Sequence, residues 1–154
     1  MNLPYFFGRE DSQIDTKGRF VVPSRFRPRQ QEQTFYVFPL RPGCMALMTP
    51  SGFARFLDEM RRADPSLLRG FSGLTYNVRC DQQGRVALRE PLLREAGLRR
   101  GMSVVVWGAL DRVEVWEPEA WRKRSPVVDT DFGERVSRIM DESTKKAENL
   151  EDLI

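Results

Sequence analysis

The chain has 154 residues, with 25 Lys and Arg against 22 Asp and Glu, two Cys and no His. This length suits one compact domain or two very small ones, and 40% apolar with 31% charged residues is an ordinary folded, soluble composition rather than a disordered one. Without histidine no Ser-His-Asp or Cys-His catalytic unit, no His-based zinc site and no imidazole base can be built, which excludes most hydrolase chemistry.

In chain order, Met1-Asn2-Leu3-Pro4-Tyr5-Phe6-Phe7 lacks a basic n-region and has only a short apolar run, so no signal peptide is predicted. Asp15-Thr16-Lys17-Gly18-Arg19 reads as a turn running into an apolar strand, Phe20-Val21-Val22, followed by Pro23 and an Arg-bearing turn with Arg25 and Arg27. Phe35-Tyr36-Val37-Phe38 and Cys44-Met45-Ala46-Leu47-Met48 read as buried strands. Thr49-Pro50 has the chemistry of a helix start, and Phe53, Phe56, Leu57 and Met60 recur at helical spacing, an apolar stripe suited to core or subunit contact. Asp64-Pro65 stops that helix, and Leu67, Leu68 and Phe71 predict one further short helical turn.

The chain then repeats itself. Asp81-Gln82-Gln83-Gly84-Arg85-Val86-Ala87-Leu88 matches the segment opening at Asp15, and Pro91 follows as Pro23 does in the first copy. Val104-Val105-Val106-Trp107 parallels residues 35–38, and Arg112-Val113-Glu114-Val115-Trp116, alternating polar with apolar, parallels residues 44–48. Glu117-Pro118-Glu119-Ala120-Trp121 then repeats the helix start. One such unit is marginal alone, so the two are expected to share a barrel-like core as a pseudo-dimer within one chain. Beyond Ser125-Pro126 the sequence turns acidic. Phe132, Val136, Ile139 and Met140 are spaced as one helix face, with Leu150, Leu153 and Ile154 after them. That face either docks on a neighbouring unit or belongs to a solvated helix.

Charge is unevenly spread. Residues 1–30 carry six bases against three acids, residues 61–101 nine Arg against four acids, and residues 111–154 eight bases against twelve acids. Arg outnumbers Lys in the basic regions, which suits bidentate recognition of phosphates or guanine edges as well as mere solubility. Cys44 and Cys80 form no Cys-x-x-Cys unit and read as small, half-buried apolar residues in a reducing compartment. No stretch is long and apolar enough to span a bilayer, and a cytoplasmic protein is expected.

The repeated Asp-x-x-Gly-Arg segment is the one candidate site. Gly18 and Gly84 permit a positive φ at the turn, while Asp15 and Asp81 can hold turn amides or pair with Arg19 and Arg85. Such a unit either only builds a turn or aims its guanidinium outward at a phosphate or a base edge. Recurrence of the same Arg favours the second reading, with Lys17, Arg25 and Arg27 around one copy and Arg79, Arg89 and Arg94 around the other. There is no phosphate loop, dinucleotide fingerprint, nucleophile elbow or helix-turn-helix pattern, so any DNA contact falls to loops and strands.

At these residues, together with Phe7-Gly8, Leu93-Arg94-Glu95-Ala96-Gly97-Leu98, Val106-Trp107-Gly108 and Val113-Glu114-Val115-Trp116, the sequence resembles the MraZ family of bacterial transcriptional regulators over about residues 6–122. It departs at Leu88-Arg89-Glu90-Pro91, where the family usually has Pro straight after the strand. The resemblance implies a β-rich α+β fold, a pseudo-twofold, double-split (swapped-hairpin) β-barrel built of two AbrB-like repeats. With short helices and a C-terminal helical tail, these would occupy residues 5–64, 65–124 and 125–154. It implies a ring-shaped homo-oligomer, associated with the nucleoid, that binds short direct repeats in double-stranded DNA upstream of the division and cell-wall gene cluster. Asp15, Lys17, Gly18 and Arg19 with Asp81, Gly84 and Arg85 would form the DNA-facing loops. No enzyme activity, cofactor, metal, membrane or small-molecule substrate is expected. The competing expectation is an antitoxin-like module of the same fold that also neutralises a protein partner.

Overall fold

A computed structural model of the chain describes residues 6–27, 33–124 and 131–153. The chain forms two compact units, Met1–Trp121 and Arg122–Ile154. The first copy of the repeat supplies β1 (Arg9–Gln13), β2 (Arg19–Val21), a 3-10 turn (Ser24–Phe26), β3 (Thr34–Pro39), β4 (Cys44–Met48) and α1 (Pro50–Ala63), followed by α2 (Leu67–Leu74). The second copy supplies β5 (Tyr76–Arg79), β6 (Arg85–Ala87), α3 (Glu90–Ala96), β7 (Ser103–Gly108), β8 (Val113–Trp116) and α4 (Pro118–Arg124). The last helix, α5, spans Phe132–Asp152.

This is an α+β architecture. Six strands form one antiparallel sheet in the order β1-β7-β8-β4-β3-β5, and β2 with β6 form a separate two-stranded ribbon. Among the described residues the ribbon meets β1 through the single bridge Ile14↔Phe20 rather than through a continuous ladder. The pairings relate the two copies as partners. β4 pairs with β8 at the centre, β2 pairs with its counterpart β6, and each copy's first strand joins the other copy's half of the sheet, β1 on β7 and β5 on β3.

The burial follows from composition. Cys44-Met45-Ala46-Leu47-Met48 is buried on both faces, as a central strand with no polar side chain can be. One face packs Met45, Leu47, Val113 and Val115 into the main core with Phe20, Phe26, Phe35, Leu92 and Leu93. The other holds Cys44, Val105 and Trp116 beneath Trp121 of α4. Although Arg112–Trp116 alternates polar with apolar, all of β8 is buried, Glu114 included. Glu114 tolerates this because Arg112 Nε donates to its Oε2 at 2.7 Å and Trp116 Nε1 donates to its Oε1 at 2.9 Å. Both cysteines are free and buried, Cys44 completely, rather than half-buried as the sequence suggests. Desolvation, then the neighbouring Glu114, pushes the Cys44 thiol well above its ordinary range.

α1 begins where Thr49 Oγ1 accepts from the Gly52 amide at 3.2 Å, and its Phe53 stacks on Tyr36 at 4.1 Å. The expected second turn is a full helix, α2, whose Phe71 meets Phe38 edge-on at 4.9 Å and so extends the same aromatic cluster. The second copy's Pro91 sits within the first turn of α3, after Leu88 and an extended Arg89, whereas Pro23 directly follows Val22 and caps the 3-10 turn. The second copy thus has two more residues than the first between its ribbon strand and its proline. On α5, Phe132, Val136, Ile139, Met140, Leu150 and Leu153 are all exposed, while Ser125, Pro126 and Ile154 lie outside the described residues.

In the ribbon, Arg19 faces Ala87, Phe20 faces Val86 and Val21 faces Arg85. Phe20 and Val86 point into the core. The outer face therefore carries Arg19 and Arg85 as diagonal neighbours, about 7–8 Å apart. Gly18 and Gly84 enter the ribbon at φ +80° and +83°, a region costly for other residues. A Cβ on Gly18 would lie 2.9 Å from the Leu88 carbonyl oxygen, and one on Gly84 would collide with the Arg27 guanidinium.

Two stability outcomes follow. Gly18→Ala should cost at least about 1 kcal/mol in chemical unfolding, since it meets both the positive φ and a backbone oxygen. Glu114→Ala strands the buried Trp116 N–H and leaves Arg112 only its pairing with Asp111, and should cost about 2 kcal/mol, read as a lowered urea midpoint at unchanged slope.

Candidate nucleic-acid interface

The two Asp-x-x-Gly-Arg segments fold alike, bond for bond. Asp15 Oδ1 accepts from the amides of Lys17 at 2.9 Å and Arg19 at 2.8 Å, and its Oδ2 accepts from Arg19 Nε at 3.0 Å. Asp81 Oδ1 accepts from the amides of Gln83 and Arg85, each at 2.9 Å, and its Oδ2 from Arg85 Nε at 3.0 Å. The Gly18 amide donates to the Asp15 carbonyl at 3.0 Å and the Gly84 amide to the Asp81 carbonyl at 2.9 Å, closing each turn. The sequence dictates this. A short carboxylate reaches amides two and four residues ahead only if the chain reverses sharply, and the glycine supplies the reversal.

The Arg19 amide, followed by its guanidinium and the Lys17 amide, holds the Asp15 carboxyl below its ordinary 3.8 despite partial desolvation. Arg85 and Gln83 do the same for Asp81. A lowered carboxyl stabilises the folded loop fully above its unfolded-state value and loses that contribution as pH falls through the lower folded value, so both loops are fully charged at neutrality. Because Nε is the atom engaged by Asp, the two terminal nitrogens of Arg19 and of Arg85 remain without a partner among the described residues. Those are the atoms that make planar, two-point contacts with a phosphate or with guanine O6 and N7.

The fold brings Asp15, Lys17, Gly18 and Arg19 together with Asp81, Gly84 and Arg85 around one short ribbon. Arg27 joins them: its Nε donates to the Val22 carbonyl at 3.0 Å, and its guanidinium lies over Gly84. Arg25 does not. Its Nη2 is 2.6 Å from Glu10 Oε1 and donates to the Arg9 carbonyl at 3.3 Å, which draws it onto β1. Arg100, which the sequence did not single out, lies over Gly18 as Arg27 lies over Gly84, and Glu90 holds its Nε at 3.2 Å. Each loop is thus covered by an arginine from the opposite copy. The residues described include no cluster of acids or cysteines able to hold a metal and no helix long and apolar enough to cross a membrane.

The family model described as "MraZ protein, putative antitoxin-like" matches residues 71–141. A protein of Nocardioides sp. named transcriptional regulator MraZ is 33% identical over 139 residues, covering 84% of this chain and 92% of the relative. The protein of that name from Kineococcus radiotolerans is 32% identical over 151 residues, covering 88% and 96%, and that from Micrococcus luteus 35% identical over 132 residues, covering 75% and 83%. Similarity at this level over most of both chains makes this chain a member of the MraZ family.

Proposed function

We propose that this chain is a sequence-specific DNA-binding transcriptional regulator that reads DNA with its two Asp-x-x-Gly-Arg loops, and that it is not an enzyme. The observation carrying the reading is the outer face of the β2–β6 ribbon, where two carboxylates fix two partly exposed arginines by Nε and leave their terminal nitrogens without a partner among the described residues. Membership of a family whose relatives are named transcriptional regulators supports it. The dimensions agree. Three residues per strand make a ribbon about 10 Å long, and the major groove, about 12 Å wide, admits a two-stranded ribbon. Asp15, Lys17, Gly18, Arg19, Arg27, Asp81, Gly84 and Arg85 form this surface, whereas Arg25, neutralised by Glu10, is left out.

In the same reading the exchanged strands close into the swapped-hairpin barrel of two AbrB-like repeats. The chain is cytoplasmic and nucleoid-associated, assembles into a ring, and binds short direct repeats upstream of the division and cell-wall gene cluster. The exposed apolar face of α5 favours association of copies. The antitoxin-like reading is kept because the matching family model carries that description. Co-purification of a nuclease-like toxin with the intact chain would favour it.

Gel-shift titrations on a duplex from upstream of its own coding sequence test the loops. Arg19→Ala should weaken binding at least tenfold with an unchanged melting temperature. Arg19→Lys should also weaken it, because a point charge cannot replace a planar fork worth roughly 1–3 kcal/mol per base pair read. A ring should bind two boxes one helical turn apart far better than boxes offset by about half a turn. Equal affinities, or an Arg19→Ala protein that binds like the parent, would reduce the loop to a structural turn. Light scattering should give a mass several times the 17.9 kDa of one chain, and deleting residues 126–154 should lower it or the melting temperature.

A further inference from the structure

The ribbon is close to twofold symmetric, but its two flanks are not. By the register that aligns Asp15 with Asp81, Glu10, Asp11 and Gln13 of β1 correspond to Tyr76, Asn77 and Arg79 of β5. On the first flank Arg25 is held by the Glu10 carboxylate at 2.6 Å, and Asp11 adds a further negative charge. At the matching place on the second flank a tyrosine replaces that carboxylate. Arg89 lies 5.8 Å from the centre of the Tyr76 ring, a contact that positions a guanidinium without neutralising it. Arg79 Nη2 donates to the neutral Gln33 Oε1 at 3.1 Å, and among the described residues no carboxylate pairs with Arg79 or Arg89. Counting Arg9 of β1, one flank therefore sets two arginines against two carboxylates, and the other sets Arg79 and Arg89 against none. Arg100, already paired with Glu90, adds no net charge. Tyr76, Arg79, Ala87, Arg89 and Arg100 line an open groove beside β6, continuous with the ribbon that carries Arg85.

We infer that this groove is a one-sided anchoring site for the phosphate backbone of the duplex, so that the chain occupies DNA in a single orientation. The inference rests on the DNA reading of the loops. A polyanion lying across the ribbon is drawn towards the flank whose arginines outnumber its carboxylates, rather than towards the flank where Arg9 and Arg25 are balanced by Glu10 and Asp11. Phosphate contacts carry no sequence information themselves, but they fix register and direction. The pseudo-symmetric loops would otherwise allow either direction.

The test uses the full chain and the same upstream duplex, titrated over a series of salt concentrations. Arg79→Gln and Arg89→Gln should each lower affinity several-fold and reduce the steepness of log affinity against log salt by about 0.9, the loss of one phosphate contact. Arg25→Gln, the counterpart on the other flank, should leave the slope unchanged. In a hydroxyl-radical footprint the double variant should lose protection at one side of the box only. Parental slopes in both groove variants, or protection lost equally at both sides, would overturn the inference. If Arg19→Ala abolishes binding in that same titration, the loop reading survives that failure; a parent chain that binds no DNA overturns both.

Discussion

Two hydrogen bonds set the register of the ribbon in which the two copies of the repeat meet. The Val22 amide donates to the Gly84 carbonyl and the Leu88 amide donates to the Gly18 carbonyl, both at 2.8 Å. Each turn thus ends on a carbonyl that is also the first rung of the ladder to the opposite copy. The glycine conformation, the Asp-capped turn and the burial of Phe20 against Val86 form one cooperative feature. A three-residue ribbon would be marginal alone. Here the outer strands β1 and β5, paired into the other copy's half of the sheet, hold its ends in place.

The energetic role of the Asp–Arg pairs is separate from that of the glycines. The Asp15 and Arg19 side chains keep 43% and 40% of their exposure, and ion pairs that open to water contribute about 0–1 kcal/mol. Fold stability therefore does not depend on them. They restrict rotamers: a guanidinium tied at Nε to a carboxylate that itself holds two amides has lost most of its freedom before any ligand arrives. Such preorganisation favours binding rather than folding, and it occurs twice with near-identical distances.

Much of this was legible in the sequence, and the rest was not for physical reasons. The repeat, its strands and the helix starts at Thr49 and Glu117 are local signals of spacing and capping chemistry, and they locate β3, β4, β7, β8, α1 and α4. Partner choice is not local. Alternation tells which side of a strand is buried but not that β1 leaves its own copy to pair with β7. The buried Glu114 also escaped, because its neutralisation depends on Arg112 and Trp116 folding back onto it. Arg25 and Arg27 stand two residues apart and look equivalent in the chain, yet the 3-10 turn sends one to Glu10 and the other across to Gly84. Arg100 lies far from Gly18 in sequence and shows its place only through the exchange of strands.

Duplication within one chain permits what a symmetric dimer of identical chains cannot. In a dimer every residue on one flank of the ribbon must recur on the other. Here the positions of Glu10 and Tyr76 are related by the same pseudo-twofold but have different chemistry, so Arg25 is neutralised while Arg89 keeps its charge. The core-facing positions obey a stricter rule. Phe20 and Val86 differ in volume but both must exclude water, and the glycines at 18 and 84 cannot change because both sit at positive φ under an arginine. Symmetry is thus kept where backbone geometry requires it and lost where only solvent and charge act. A polar molecule such as duplex DNA, with unlike sequence on its two sides, is the kind of ligand for which that loss has a consequence.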